Sequence, residues 1–232
     1  MHLQVPGGGR RPHPGLTASE PPAIPISLSR ERIGILGGTF NPLHIGHLIC
    51  GQEAHLQLRL DRVILMPAGQ PPHKRLEEDP GAQHRLELCR LAVAGDPRFE
   101  VSDLELRRDG PSYTVDTLAA LNSIEPDSEL FLIVGGDVAA GLPTWHEPER
   151  VLSLATLAVA KRRGTQRESI DSALAGLRGG ERTEFFRMPG IEVSSTEIRH
   201  RVQEQEPIKY LVPDRVASYI DEHRLYGGRT TS

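Results

Sequence analysis

The stretch Gly37-Gly38-Thr39-Phe40-Asn41-Pro42-Leu43-His44-Ile45-Gly46-His47-Leu48 follows the short apolar run Arg32–Leu36 (RIGIL) and leads into helical spacing. Its reading decides the fold, because a strand that turns into a helix through adjacent glycines is the unit of an α/β sheet. Gly37 and Gly38 let the backbone turn sharply and let an anion approach the N–H groups. Proline at 42 disfavours helix at Asn41 and keeps the loop extended. His44 and His47 then bracket a helix start, where free N–H groups and the helix dipole already favour negative charge. The pattern is neither GxGxxG nor the GxxxxGK[ST] of a P-loop, and the three-residue histidine spacing is not that of HExxH. With neither an HExxH nor a CxxC pattern to complete a metal set, two imidazoles beside glycines read as a phosphate site. A single histidine there would read as a helix cap.

Working outward, strands and helices alternate. Helices are expected over Gly46–Leu60, with Leu48, His55, Leu56 and Leu58 on the apolar side, and over Gln83–Ala94, from Thr114, and over Arg167–Leu177, Ser195–Gln203 and Pro213–His223. Strands are expected at Arg32–Leu36, Arg62–Met66, Phe99–Val101, Leu130–Val134, Leu154–Ala160 and Glu184–Met188. Short apolar strands between helices predict an α/β fold, a doubly wound parallel sheet with helices on both faces, followed by a C-terminal helical part. Residues 1–30 are rich in proline and glycine and read as a disordered extension before a domain over 31–228.

A net charge of −4 argues against nucleic acid or an anionic membrane as partner, so any anion site must be local. No apolar run approaches the roughly 20 residues that span a bilayer. Cys50 and Cys89 form no CxxC pair, which fits a reducing, cytoplasmic setting. Assembly into a homo-oligomer is compatible with all of this.

In such sheets ligands bind beyond the carboxyl ends of the strands. PPHK (71–74) holds His73 and Lys74 on a stiff loop, and lysine suits phosphate as a point charge. IEVSSTEIR (191–199) places Ser194 and Glu197 at capping-box spacing, and gathers Ser195, Thr196 and Arg199 in the same first turns as a second anion site. PSYTVDTL (111–118) enters a helix through hydroxyls, with Ser112 or Thr114 as the expected cap and Asp116 suited to the helix dipole. Gly135-Gly136-Asp137 follows the fourth strand, and Lys161-Arg162-Arg163-Gly164 the fifth. Trp145 is the single tryptophan, in a loop where it could pack or stack on an aromatic ring.

In this order these motifs resemble the HxGH nucleotidyltransferases with their Rossmann-like sheet, and more narrowly the bacterial nicotinate-nucleotide adenylyltransferases. The resemblance runs from about residue 32 to 226 and includes KYLVPDRVASYI (209–220). It departs at Asn41, where the family usually has aspartate, and at Arg163, where a proline often follows the arginine matched by Arg162. It implies adenylyl transfer from ATP to nicotinate mononucleotide, giving nicotinate adenine dinucleotide and pyrophosphate in NAD biosynthesis. It implies catalytic roles for His44, His47, Lys74 and Arg199. ATP is expected at Gly37, Gly38, Thr39, Phe40, His44, His47, Gly135, Asp137, Arg162, Ser194, Ser195, Thr196 and Arg199. The mononucleotide is expected at Thr39, Lys74, Tyr113, Thr114 and Trp145. Mg²⁺ would be bound mainly through ATP phosphates, with no protein metal ligand. The rivals are an adenylyltransferase for phosphopantetheine or nicotinamide mononucleotide, and a non-catalytic nucleotide-binding module. The HIGH tetrapeptide also resembles class I aminoacyl-tRNA synthetases, but no KMSKS-like loop or tRNA-binding appendage accompanies it here.

Overall fold

The computed structural model describes residues 30–71, 78–162 and 167–227. The expectations for the N-terminal extension, for Lys74 and for Arg163 lie outside these residues.

Six parallel strands, β1 (Arg32–Gly38), β2 (Arg62–Pro67), β3 (Phe99–Val101), β4 (Glu129–Gly135), β5 (Thr156–Lys161) and β6 (Thr183–Arg187), form one sheet in the order β3-β2-β1-β4-β5-β6. Sequence neighbours build outward in both directions from β1, so the order reverses between β1 and β4. There Ile35 lies beside Ile64 on one side and Leu132 on the other. That gap is the topological switch point, where crossovers diverge to opposite faces and leave a crevice.

Both faces are covered, so strand residues alternate between two cores. Ile33, Ile35, Leu130 and Leu132 pack with Val115, Leu118 and Leu121 of α3 (Thr114–Ile124), Leu152 of α5 (Pro148–Leu154) and Ile170 of α6 (Arg167–Leu174). Leu36, Val63, Leu65, Phe131 and Ile133 face Cys50 and Ala54 of α1 (Ile45–Gln57) and Cys89 and Val93 of α2 (Ala82–Val93). A third cluster joins Leu88 of α2 to Ile198 of α7 (Ser195–Gln203) and Val216 and Ile220 of α8 (Asp214–Glu222). It anchors the C-terminal helices beside the β1–α1 loop.

Two expectations need correction, and two short elements were not foreseen. Helix α1 buries Gly46, Cys50, Gly51 and Ala54, and leaves Leu56 68% exposed. Its inner face is small because the helix lies close to the sheet: a Cβ on Gly51 would sit 2.5 Å from the Phe99 ring. Leu154 ends α5 rather than starting a strand. The run VLSLATLAVA is apolar throughout, and periodicity cannot place a boundary inside it. Between β4 and α5 the chain forms the five-residue α4 (Gly136–Ala140) and a 3₁₀ turn at Leu142–Thr144, both too short to show a period.

Candidate active site

At the carboxyl ends of β1 and β4 a cavity of about 350 Å³ opens over the switch point. Gly37 and Gly38 line it from β1, Thr39 from the loop after it, Gly135 from β4, His47 from α1, Thr114 from α3, and Trp145 and Arg162 from the connections beyond. Arg162 also borders a second cleft, of about 630 Å³, lined by Val193, Ser194, Glu197 and Arg201 at the start of α7. The two spaces therefore adjoin at Arg162.

The β1–α1 loop is tightly specified. Phe40 takes φ 48°, an uncommon conformation for a bulky residue, and its ring is buried with its edge toward His47 at 5.1 Å. A Cβ on Gly38 would come within 3.0 Å of that ring, which gives this glycine a packing reason. His44 and His47 stack with ring centroids 3.7 Å apart. The backbone N–H of His44 donates to Nδ1 of His47 at 3.2 Å. In a neutral imidazole whose Nδ1 accepts, the proton sits on Nε2. His47, which lines the cavity, is thus held as an Nε2–H donor. Phe40 and His44 stand behind it, buried, rather than on the cavity wall.

Burial, with Arg162 nearby, lowers the His44 pKa to about 4. Burial first, then the His44 and Arg162 charges, hold His47 well below the usual imidazole range. Neither ring is charged near neutrality. In the unfolded chain both protonate near pH 6.5, so that state binds more protons as pH falls, and stability is lost from about pH 6.5 down to about 4. His44 alone accounts for on the order of 3 kcal/mol of this loss, set by its pKa difference. Thermal melts between pH 7.5 and 4.5 should show a falling Tm, with a shallower slope in His44→Asn; parallel slopes would contradict it.

The start of α7 is stitched to the same loop. Ser195 Oγ donates to the Pro42 carbonyl at 2.9 Å, and Arg199 Nη1 donates to the Asn41 carbonyl at 2.9 Å. Arg199 Nε also pairs with Glu78 at 3.0 Å. The two anion motifs, about 150 residues apart in sequence, meet here. Ser194 Oγ accepts from the Glu197 N–H, as the capping pattern predicts, but the Glu197 carboxylate accepts from Arg201 instead of reaching back. Thr196 is exposed. Asp137 is exposed in the first turn of α4, and its Oδ1 stands 2.8 Å from where a Cβ on Gly135 would be.

Around α3 the capping expectation fails. Tyr113 is the N-cap, with no side-chain bond, and its ring lies 4.5 Å from that of His146 rather than on the cavity wall. Ser112 Oγ instead accepts from the N–H groups of Gly69 and Gln70, tying α3 to the end of β2. Trp145 is half-buried, packed on the sheet core while lining the cavity.

Two residues went unread in the sequence. Glu105 lines the cavity, buried, and accepts from Thr117 Oγ1 at 2.7 Å; burial raises its pKa. It sits in the charged run LELRRDG, which reads as solvated surface. Arg85, in α2, is fully buried although its neighbours follow an ordinary amphipathic pattern. Among the described residues no group of three or more histidine, cysteine, aspartate or glutamate side chains could hold a metal ion.

Residues 35–201 match the family model described as Cytidylyltransferase-like. Curated relatives include the "Probable nicotinate-nucleotide adenylyltransferase" of Synechococcus sp. (strain JA-3-3Ab), 43% identical over 87% of this chain and 98% of that one. The like-named protein of Roseiflexus sp. (strain RS-1) is 45% identical over 86% of this chain and 100% of its own. Among solved structures, the Plasmodium falciparum nicotinic acid mononucleotide adenylyltransferase complexed with NaAD superposes with TM-score 0.67 at 17% identity, covering 85% of this chain and 98% of that one. At that identity the likeness speaks for the shared sheet alone. The switch-point cavity, the HxGH helix start and relatives matched along nearly their whole length agree: this chain belongs to the cytidylyltransferase-like family and, within it, to the nicotinate-nucleotide adenylyltransferases.

Proposed function

We propose that this protein joins ATP and nicotinate mononucleotide by direct, in-line displacement. An oxygen of the mononucleotide phosphate bonds to the α-phosphorus of ATP, the bond from that phosphorus to the bridging oxygen breaks, and pyrophosphate leaves with the electron pair. The attacking phosphate is already anionic, so no protein nucleophile or base is needed. Positioning and charge stabilisation are the protein's task.

The observation that carries this reading is the adjoining of two cavities at Arg162, beside the His47 donor. The cavity walled by Thr39, Thr114 and Trp145 suits the mononucleotide. Its pyridine would rest on Trp145 and its carboxylate would face the N-terminus of α3, whose N–H groups favour an anion over an amide. Lys74 would meet its phosphate. The space past Gly135 and Arg162 toward Ser194 suits ATP, with Asp137 near the ribose. There His47 Nε2–H donates to an α-phosphate oxygen and His44 holds the His47 ring. Arg199 and the N-terminus of α7 take the outer phosphates.

Arg162, Arg201 and the His47 donor line these spaces among the scattered carboxylates Glu105, Glu192 and Glu197, so Mg²⁺ would be held there mainly through the ATP phosphates. Its chemistry there is charge neutralisation on the triphosphate. Among the described residues no helix is long and apolar enough to cross a membrane; the two free, buried cysteines fit a reducing, cytoplasmic setting.

The test is pyrophosphate release from ATP with each of nicotinate mononucleotide, nicotinamide mononucleotide and phosphopantetheine. Nicotinate mononucleotide should give the highest kcat/KM. Equal values for acid and amide would overturn the α3 assignment, and preference for phosphopantetheine would overturn the substrate.

A further inference from the structure

Arg85 is 0% exposed and lines neither substrate cavity. Its guanidinium donates from Nη1 to the carbonyls of Thr39 at 2.9 Å and Ala68 at 2.6 Å, from Nη2 to Gly69 at 3.3 Å, and from Nε to Asp79 Oδ1 at 3.0 Å. Thr39 belongs to the loop after β1, while Ala68 and Gly69 follow β2. Asp79 precedes α2, so Arg85 grips the chain on either side of residues 72–77. The two loops also touch directly, through the Ala68 N–H donating to the Gly38 carbonyl at 2.8 Å.

A buried cation is costly, and a single carboxylate shared with three backbone carbonyls is more than charge balance requires. Satisfying those carbonyls stabilises the fold, but stability alone does not require that one side chain join two loops. What an apolar side chain cannot do is set three carbonyls from two loops at fixed distances around one planar fork. Those loops carry the wall of the ATP phosphate site and the approach to the mononucleotide phosphate.

We infer that Arg85 is a positioning residue for adenylyl transfer, holding the β1 and β2 loops in the relative register that brings the attacking phosphate into line with the α-phosphorus. It touches neither substrate and acts through the backbone at Thr39, Ala68 and Gly69. Misalignment of reacting groups by about an ångström costs on the order of 10²-fold in rate. The loss belongs in kcat, because each substrate keeps its own contacts when the loops slip relative to one another.

The inference rests on the reaction proposed above. Dinucleotide formation by the wild-type protein is therefore the first measurement: if it fails, that reading fails before Arg85 is tested. Arg85→Lys keeps the charge and loses the fork. It should fold, and at a temperature below its melting transition it should show kcat reduced about 10²-fold with the Kd for ATP little changed. Cys89→Ala, a buried change one turn further along α2, should lower Tm and leave kcat near the wild-type value. A kcat for Arg85→Lys within about threefold of wild type, or an equal loss in Cys89→Ala, would reduce Arg85 to a structural residue. Should Arg85→Lys not fold, Asp79→Asn leaves the guanidinium in place and loosens one arm of the clamp. A reduced kcat with unchanged Kd for ATP then supports the role, and an unchanged kcat overturns it.

Discussion

His47→Ala should lower kcat by about 10²–10³-fold, the usual cost of removing one preorganised donor at developing charge. The reason lies in two local facts. The His44 N–H occupies Nδ1 of His47, so the neutral ring presents Nε2–H; burial, then the His44 and Arg162 charges, keep it neutral. A donor held in one tautomer needs no reorganisation as negative charge shifts across the α-phosphate. His47→Asn keeps a donor of shorter reach and should recover part of the loss. KM for ATP should change far less than kcat, because the bond strengthens in the transition state. A near-normal kcat in His47→Ala, measured by pyrophosphate release with both substrates saturating, would remove His47 from the mechanism.

Arg199→Ala should lower kcat/KM for ATP by on the order of 10²-fold. Here the expected effect has two parts. The guanidinium supplies positive charge at the start of α7, and through Nη1 it also holds the Asn41 carbonyl, hence the loop that carries His44 and His47. Arg199→Lys should be nearly as impaired, since an ammonium lacks the fork that serves the carbonyl and a phosphate together. The Glu78 carboxylate pairs with Arg199 and so competes with a phosphate for the guanidinium. Glu78→Gln should therefore leave activity intact or tighten ATP binding. Steady-state kinetics at saturating mononucleotide check both, and normal kcat/KM in Arg199→Ala would contradict the assignment.

Much of this site can be read from the sequence because its signals are local. Glycines after RIGIL, proline at 42 and the HIGH tetrapeptide each have a backbone meaning within a few residues. The start of α7 at Ser195 follows from the Ser194 cap three residues before Glu197, and the expected span Ser195–Gln203 matches the structure. The doubly wound sheet follows from alternation of strand and helix, whereas the strand order that puts the switch point between β1 and β4 is seen only in the pairing. Other features depend on what lies opposite. The buried face of α1 is small because Phe99 stands against Gly51, which nothing in IGHLICGQEAHLQ announces. Ser112 has the chemistry of a cap and spends it on Gly69 and Gln70, more than forty residues earlier. Arg85 sits at a position an amphipathic helix could give to solvent. Its burial follows from carbonyls that the β1 and β2 loops turn inward.

The central claim is that one in-line displacement at the α-phosphorus joins the two nucleotides with no adenylylated protein between them. The most direct measurement is the configuration at that phosphorus in dinucleotide made from the Sp diastereomer of ATPαS and nicotinate mononucleotide. A single displacement predicts a nicotinate adenine dinucleotide with inverted configuration. Retention, which requires two displacements and hence a covalent protein intermediate, would contradict the account, as would the absence of any dinucleotide when ATP itself is the donor.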